Sequence, residues 1–349
     1  MPVTPEFLTD LETNMRSITV DQYKRLTRDT WWNKIAKVVP IKSKKERIHW
    51  LLETAQIERP NASHGGGQQI FEDMVSLHTE FEAENAVAAL TLKKEQMEDL
   101  ENGIVGGEAM RLAASWSRQV ASHAAYWPQQ EVGKALIANP IGYDGQNFFD
   151  VDHPYNPYNT GAGTYRNVFT GSASGIYPGA LKIDSSVTVD VAVQNIAKAL
   201  AYVASLKMPN GVLPRKLKLA HIFVPPALTA RAQQVTNAKF IAQAASSGGG
   251  SGDVEAVIRN FGLGQPVQID EIGSAFGGSD TSWYLGMEDI TNDELGAFVY
   301  VDREPFSVNY HGPQTSAELA RKRTFEWTLE GRNTVAPGHP FLLFRCDAA

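Results

Sequence analysis

Residues 48–92 carry two extended, semi-polar segments, Ile48–Glu58 and Ile70–Leu92, on either side of Arg59-Pro60-Asn61-Ala62-Ser63-His64-Gly65-Gly66-Gly67-Gln68. Strand-like runs around a Pro- and Gly-rich tip predict a long β-hairpin. Two strands alone bury too little surface to be stable in water, so such a hairpin needs a surface to lie on. An ordinary surface loop is the plainer reading; the sharper one is an arm that reaches a neighbouring subunit. Charge sharpens the choice. Residues 24–47 hold nine Lys and Arg against Asp29 and Glu46, a net of +7, whereas residues 53–101 hold eleven acids against Arg59, Lys93 and Lys94, a net of −8. Solvated faces would account for each half alone, and a partner for each half accounts for both.

Beyond this region the pattern is mixed α and β. A stripe of Ala109, Ala113, Trp116, Val120 and Ala124 predicts a helix over Glu108–Tyr126, since apolar residues three and four apart share one face. Pro128 suits the first turn of a second helix, Gln129–Ala138, which Asn139-Pro140 ends. Residues 141–185 have little periodicity and predict a long irregular excursion, which a compact domain seldom carries without a use. A helix over Val187–Leu206, a strand over Leu217–Val224 and a helix over Ala227–Val235 follow, then a flexible Ser- and Gly-rich loop at 245–253. Short strands are expected at Val267–Asp270, Trp283–Met287 and Ala297–Val301. Phe325, Trp327 and Leu329 alternate with Glu326, Thr328 and Glu330 as in a half-buried strand, and the apolar Phe341–Phe344 comes last.

Composition excludes several classes. With 349 residues, 43% hydrophobic and 20% charged, the chain has material for about two globular domains. A net charge of −7 argues against a dedicated nucleic-acid binder, although a locally basic face remains open. One cysteine, Cys346, rules out a disulfide framework and a CxxC metal site. The start, Met1-Pro2-Val3-Thr4-Pro5-Glu6, predicts no secretory signal, and no apolar run nears the ~20 residues that span a bilayer. The cytoplasm is the default compartment.

Local chemistry is sparse. His64-Gly65-Gly66-Gly67 matches the oxyanion-hole string of esterases, but that string works beside a serine on a G-x-S-x-G elbow, and Gly171-Ser172-Ala173-Ser174-Gly175 has Ala at that place. Asp150-Val151-Asp152-His153 offers oxygen and imidazole donors for a divalent ion; the plainer alternative is a loop whose Asp side chains bond nearby backbone amides. His221, amid strand-like residues, reads as a satisfied core histidine. No phosphate-binding or dinucleotide fingerprint occurs. The expectation is a protein with no enzymatic activity, cofactor or metal.

Tyr143-Asp144-Gly145-Gln146-Asn147-Phe148-Phe149-Asp150-Val151-Asp152-His153-Pro154 resembles the hallmark segment of the major head (capsid) subunit of Mu-like phages and prophages, the gpT family. Downstream, Val224-Pro225-Pro226-Ala227-Leu228 and Gly264-Gln265-Pro266-Val267 follow the element order of the Hong-Kong-97-like capsid fold of tailed phages and herpesviruses. The resemblance implies an α+β fold with five parts: an N-terminal arm (1–47), an extended hairpin loop (48–90), a peripheral domain with a spine helix (91–185), an axial domain (186–302) and peripheral return strands beside the long helix (303–349).

It also implies a structural subunit that assembles with itself into an icosahedral phage head around genomic DNA. Its partners would be a scaffold protein, a portal, double-stranded DNA on the inner face and a decoration protein, with no membrane. It would reside in the virion, and in the host cytoplasm during assembly. With Met1 at the start, no removed N-terminal scaffold segment is expected. Contacts between subunits are expected from Trp31, Trp32, Trp50, Phe71 and Met74 as apolar anchors. Lys42, Lys44 and Lys45 would face Glu72, Asp73 and Glu80 of a neighbour, or the basic arm would instead face packaged DNA, where phosphate charge serves equally well. Some members of the fold cross-link a hairpin Lys to a neighbouring Asn; the tip Arg59–Phe71 contains no Lys, so no cross-link is expected. Two rivals stand beside this reading: an encapsulin-like nanocompartment shell, and an esterase using His64–Gly67.

Overall fold

The computed structural model describes residues 5–52, 76–101, 108–211, 213–237, 240–242, 253–255, 265–292, 294–312, 318, 321 and 324–347. The chain opens on helix α1 (Pro5–Leu26), then strands β1 (Ala36–Pro40), β2 (Lys45–Leu51), β3 (Ser76–Glu82) and β4 (Glu84–Lys93), and helices α2 (Lys94–Glu101) and α3 (Glu108–Ala138). Short strands β5 (His153–Pro154), β6 (Thr164–Tyr165) and β7 (Val168–Phe169) lie in the irregular excursion. Next come α4 (Val189–Ala204), β8 (Leu217–Val224), α5 (Pro226–Asn237), the pair β9 (Phe240–Ala242) and β10 (Asp253–Glu255), and β11 (Val267–Gln268). β12 (Trp283–Asp289), β13 (Phe298–His311), β14 (Thr324–Pro337) and β15 (Leu343–Cys346) complete the chain.

Two sheets organise these elements. The first has the order β1-β13-β14-β4, with β13 and β14 antiparallel from Phe298↔Pro337 to His311↔Glu326. Its alternation follows the sequence: Phe325, Trp327 and Leu329 are buried while Glu326 points out. Helices α1 and α3 cover that apolar face. Leu8, Leu11 and Met15 of α1 meet Ala113 of α3 and Leu92, Phe325 and Trp327 of the sheet; further along α3, Val120 and Ala124 meet Val308 and Leu329.

The region expected as an arm is therefore docked on its own chain. Leu8, Leu11, Met15 and Thr19 step by three, four and four, a helical spacing, and β1 pairs in parallel with β13.

The second sheet has the order β11-β8-β12-β15-β7, packed by α4 and α5. Thr188 caps α4, its hydroxyl accepting from the Val191 N–H at 3.3 Å. β15 lies in this sheet, antiparallel to β12 and parallel to β7, and not beside the long helix as expected. The reason is burial on both faces: Leu343 and Phe344 are both inside, as suits an interior strand with neighbours on each side. The expected boundary at 302/303 likewise falls inside the continuous 14-residue β13.

α3 is one 31-residue helix, not two. It runs through Pro128, whose missing N–H leaves the Ala124 carbonyl without its intrahelical donor, a cost of about 3 kcal/mol. Packing on both sides offsets it, with Ala121, Ala124 and Ala125 buried before Pro128 and Val132 and Leu136 after it. A Cβ on Gly133 would sit 2.5 Å from Glu271 Cβ, so α3 approaches the 270–272 turn at a distance only glycine allows.

A shorter hairpin than expected forms: β2 and β3 pair antiparallel from Lys45↔Glu82 to Leu51↔Ser76, whereas Glu84–Lys93 leaves it to pair with β14 in the first sheet, and the tip lies outside the described residues. Its root is anchored by Ile41, Phe81 and Ala83 against Val299, Val301 and Ala336.

Docking of α1 has a measurable consequence. Leu11 is 1% exposed, so Leu11→Ala is expected to cost about 2–5 kcal/mol, read as a lower urea midpoint; a near-neutral effect would mean that α1 is not docked.

Candidate functional site and assembly surfaces

The Tyr143–Pro154 segment begins where α3 stops. Asn139 takes the left-handed conformation (φ 51°) that ends helices, and its side chain clamps Phe149 from both sides. The Phe149 N–H donates to Asn139 Oδ1 at 2.6 Å, and Asn139 Nδ2 donates to the Phe149 carbonyl at 3.1 Å. Asp144 Oδ1 accepts from the Gln146 N–H, and its Oδ2 lies 2.6 Å from Nδ1 of His153, with both side chains buried. A carbonyl can only accept, so His153 Nε2 donates to the Phe148 carbonyl at 3.2 Å.

Asn167, fully buried, closes the arrangement. Its Oδ1 accepts from the Asp150 N–H (2.8 Å), its Nδ2 donates to the carbonyls of Phe148 (2.6 Å) and Pro340 (3.2 Å), and its own carbonyl accepts from the Arg345 N–H (2.9 Å). Phe148 then packs on Phe298 of the first sheet (4.3 Å between ring centres) and Phe149 on Tyr284 of the second (5.6 Å). The segment is a joint between the long helix and both sheets.

His153 faces inward to this joint, and Asp150 Oδ1 accepts from the Val151 N–H at 2.6 Å. Asp150, Asp152 and His153 do not converge, and among the described residues no group of three or more His, Cys, Asp or Glu is placed to hold a metal.

The expected contact residues fall in several different settings. Trp31 and Trp32 are 7% and 8% exposed and lie in the chain's own core. Trp31 Nε1 donates to Glu271 at 3.2 Å, and Trp32 packs on Tyr300. They are not free to anchor a neighbour, because the turn after α1 needs them to seal the core. Trp50 is half-buried, edge-on to His339 at 4.5 Å, with Nε1 donating to Thr79 Oγ1. Lys44 and Lys45 both reach Glu82 (2.6 and 3.3 Å), and Arg47 reaches Glu80 (3.2 Å), so charges expected to pair across subunits pair across the hairpin. Glu82 was not anticipated, although the hairpin register places it opposite Lys45. The two lysines hold the Glu82 carboxyl below its ordinary range. Lys42 is exposed. Phe71, Glu72, Asp73, Met74 and His64–Gly67 lie outside the described residues. His221 is half-exposed on β8 beside Phe223, not in the core; partial burial and Lys34 lower its pKa.

At the hairpin root a cavity of about 320 Å³ is lined by Trp50, Leu77, Tyr143, Tyr155, His339 and Phe341, among others. His339 is 7% exposed, and neither ring nitrogen has a hydrogen-bond partner among the described residues. Burial, aided by the Arg215 cation, pushes its pKa from 6.5 down to about 3. The unfolded chain therefore binds this proton below about pH 6.5 and the folded chain only near pH 3. Stability falls as pH drops through that window, by up to about 1.4 kcal/mol per pH unit. His339→Phe, suited to its aromatic surroundings, is expected to flatten the loss of urea midpoint between pH 7 and pH 5; an unchanged slope would assign it to other groups.

Residues 9–178, just under half of the chain, match the family model described as Mu-like prophage major head subunit gpT. No curated protein matches the sequence. Among solved structures, the procapsid of bacteriophage JBD30 aligns at 16% identity over 99% of this chain and 77% of its own, with a TM-score of 0.48. The capsid of cyanophage P-SCSP1u aligns at 11% identity over 92% and 88% (TM-score 0.48). The virus-like particle from Pyrococcus furiosus aligns at 8% over 96% and 98% (TM-score 0.47). Residues 9–178 are thus similar to the Mu-like prophage major head subunit gpT.

Proposed function

We propose that many copies of this chain close into an icosahedral shell that encloses double-stranded genomic DNA. The shell assembles in the host cytoplasm around a scaffold protein, with a portal and a decoration protein as further partners, and ends in the virion. The observation that carries this reading is the gpT match, which runs from α1 through the hairpin and α3 to the Tyr143–Pro154 joint. The arrangement suits a building block and not an enzyme: the buried side chains of Asn167, His153 and Asp144 are spent on holding backbone in place. In this reading the hairpin is the element that meets neighbours, Trp50 and the tip residues Phe71 and Met74 supply apolar contact, and α3 is the spine.

Electron microscopy of the purified full chain is expected to show closed shells or capsomer-sized oligomers; a strictly monomeric species at high concentration would contradict it. Shells from infected cells should hold DNA, whereas cargo protein inside them would favour a nanocompartment. Since the tip Arg59–Phe71 has no Lys, boiling the particles in detergent is expected to release one band near 38 kDa, and a ladder that survives reduction would contradict it.

The charge pairs admit a separate test. Reversing Lys44 and Lys45 to Glu is expected to weaken assembly, and Glu82→Lys in the same chain to restore it, because the lysines fix the hairpin's own register. Rescue by reversing Glu72 and Asp73 instead would place their partner across a subunit boundary.

A further inference from the structure

The outward face of the hairpin carries two exposed histidines side by side. The β2–β3 register sets Lys45 opposite Glu82, Arg47 opposite Glu80 and His49 opposite His78. Residues two apart on a strand share a face, so these three pairs form one ladder, while Ile48, Trp50, Leu77 and Phe81 turn the other way toward the body. The first two rungs are ion pairs. The third consists of two exposed imidazoles whose ring centres lie 5.8 Å apart, tilted by 40°.

We infer that His49 and His78 form a binding site for one divalent transition-metal ion of the zinc, nickel or copper class. Directly opposed residues on an antiparallel pair have Cβ atoms about 4.5–5.5 Å apart, which aims both rings at the same space. Ring centres 5.8 Å apart leave room for one ion between them, held by one nitrogen of each ring at about 2.0–2.1 Å. Imidazole suits zinc, nickel and copper, whereas magnesium and calcium seek oxygen. The ion-paired rungs on the root side supply rigidity, for Glu80 is held by Arg47 at 3.2 Å and leaves the imidazoles to the ion. Among the described residues no third His, Cys, Asp or Glu joins them, so the chain supplies two ligands and water fills the remaining positions. A bound ion would pin the strands near Leu51 and Ser76, where the described hairpin ends. The inference stands on the hairpin register alone and does not depend on the shell reading.

The test is calorimetric titration of the metal-stripped full chain with zinc chloride and, separately, nickel chloride at neutral pH. One ion per chain is expected, weakened about tenfold or more, or about 1.4 kcal/mol, by either His49→Gln or His78→Gln, and unchanged by His123→Gln at an exposed position of α3. Zinc should also slow amide hydrogen exchange over 45–51 and 76–82 in the parent chain and in neither hairpin variant. Both hairpin histidines are exposed, so the variants keep the fold. Absence of binding at millimolar metal, binding indifferent to both substitutions, or an equal loss in the His123 variant would overturn the assignment.

Discussion

A buried carboxamide is tolerated only when its donors and acceptor are all bonded, and Asn167 meets that demand by tying together parts of the chain far apart in sequence. Its side chain holds the backbone of Phe148 and Asp150 and reaches Pro340, while its main chain bonds Asp150 and Arg345. Removing the amide would leave several buried groups unpaired, at about 1–3 kcal/mol each. The two phenylalanines depend on it. Phe148 meets Phe298 and Phe149 meets Tyr284 only when the turn between them is held at this depth.

Because that joint sits at the C-terminal end of α3, the helix is fixed to both sheets at one end and to α1 along the rest. Asn139 passes the fixation directly, its side chain bonded to Phe149 while its backbone N–H bonds the Ala135 carbonyl. Near the same end, Gly133 lets α3 touch the Glu271 turn, and Glu271 accepts from both Trp31 and Gln129. The turn after α1, the long helix and the second sheet are thereby held by one carboxylate. A continuous beam explains why Pro128 is accommodated: breaking the helix there would separate the face that packs on the first sheet from the residues that enter the main core.

Much of this was legible in the sequence where one local rule decides. The strand Leu217–Val224, the alternation from Phe325 to Leu329 and the capped α4 each follow from period and end signals, and the hairpin followed from its flanks and tip. Errors arose where tertiary packing outweighed the local signal. Pro128 marks a helix start by propensity, yet the buried stripe continues past it. Phe341–Phe344 is apolar without a period, so the sequence could not say which sheet it enters. Trp31 and Trp32, beside a basic run, resembled surface anchors until Glu271 and Tyr300 were seen to hold them inside. Asn167 carried no signal at all, because a lone Asn in an irregular stretch declares neither its burial nor its partners.

The hairpin shows how charge and apolar surface divide the work. Lys44, Lys45 and Arg47 meet Glu82 and Glu80 at exposed positions, where each pair contributes on the order of 0–1 kcal/mol. Such pairs fix register cheaply but hold little. The holding falls to the other face, where Ile41, Phe81 and Ala83 pack against Val299, Val301 and Ala336, and burying a side chain the size of Phe81 contributes about 1.5–3 kcal/mol. A slip of one residue would turn Phe81 and Leu77 outward and set like charges together. The root is therefore specified twice, by charge on one face and by burial on the other, so the hairpin departs from the body in a fixed direction.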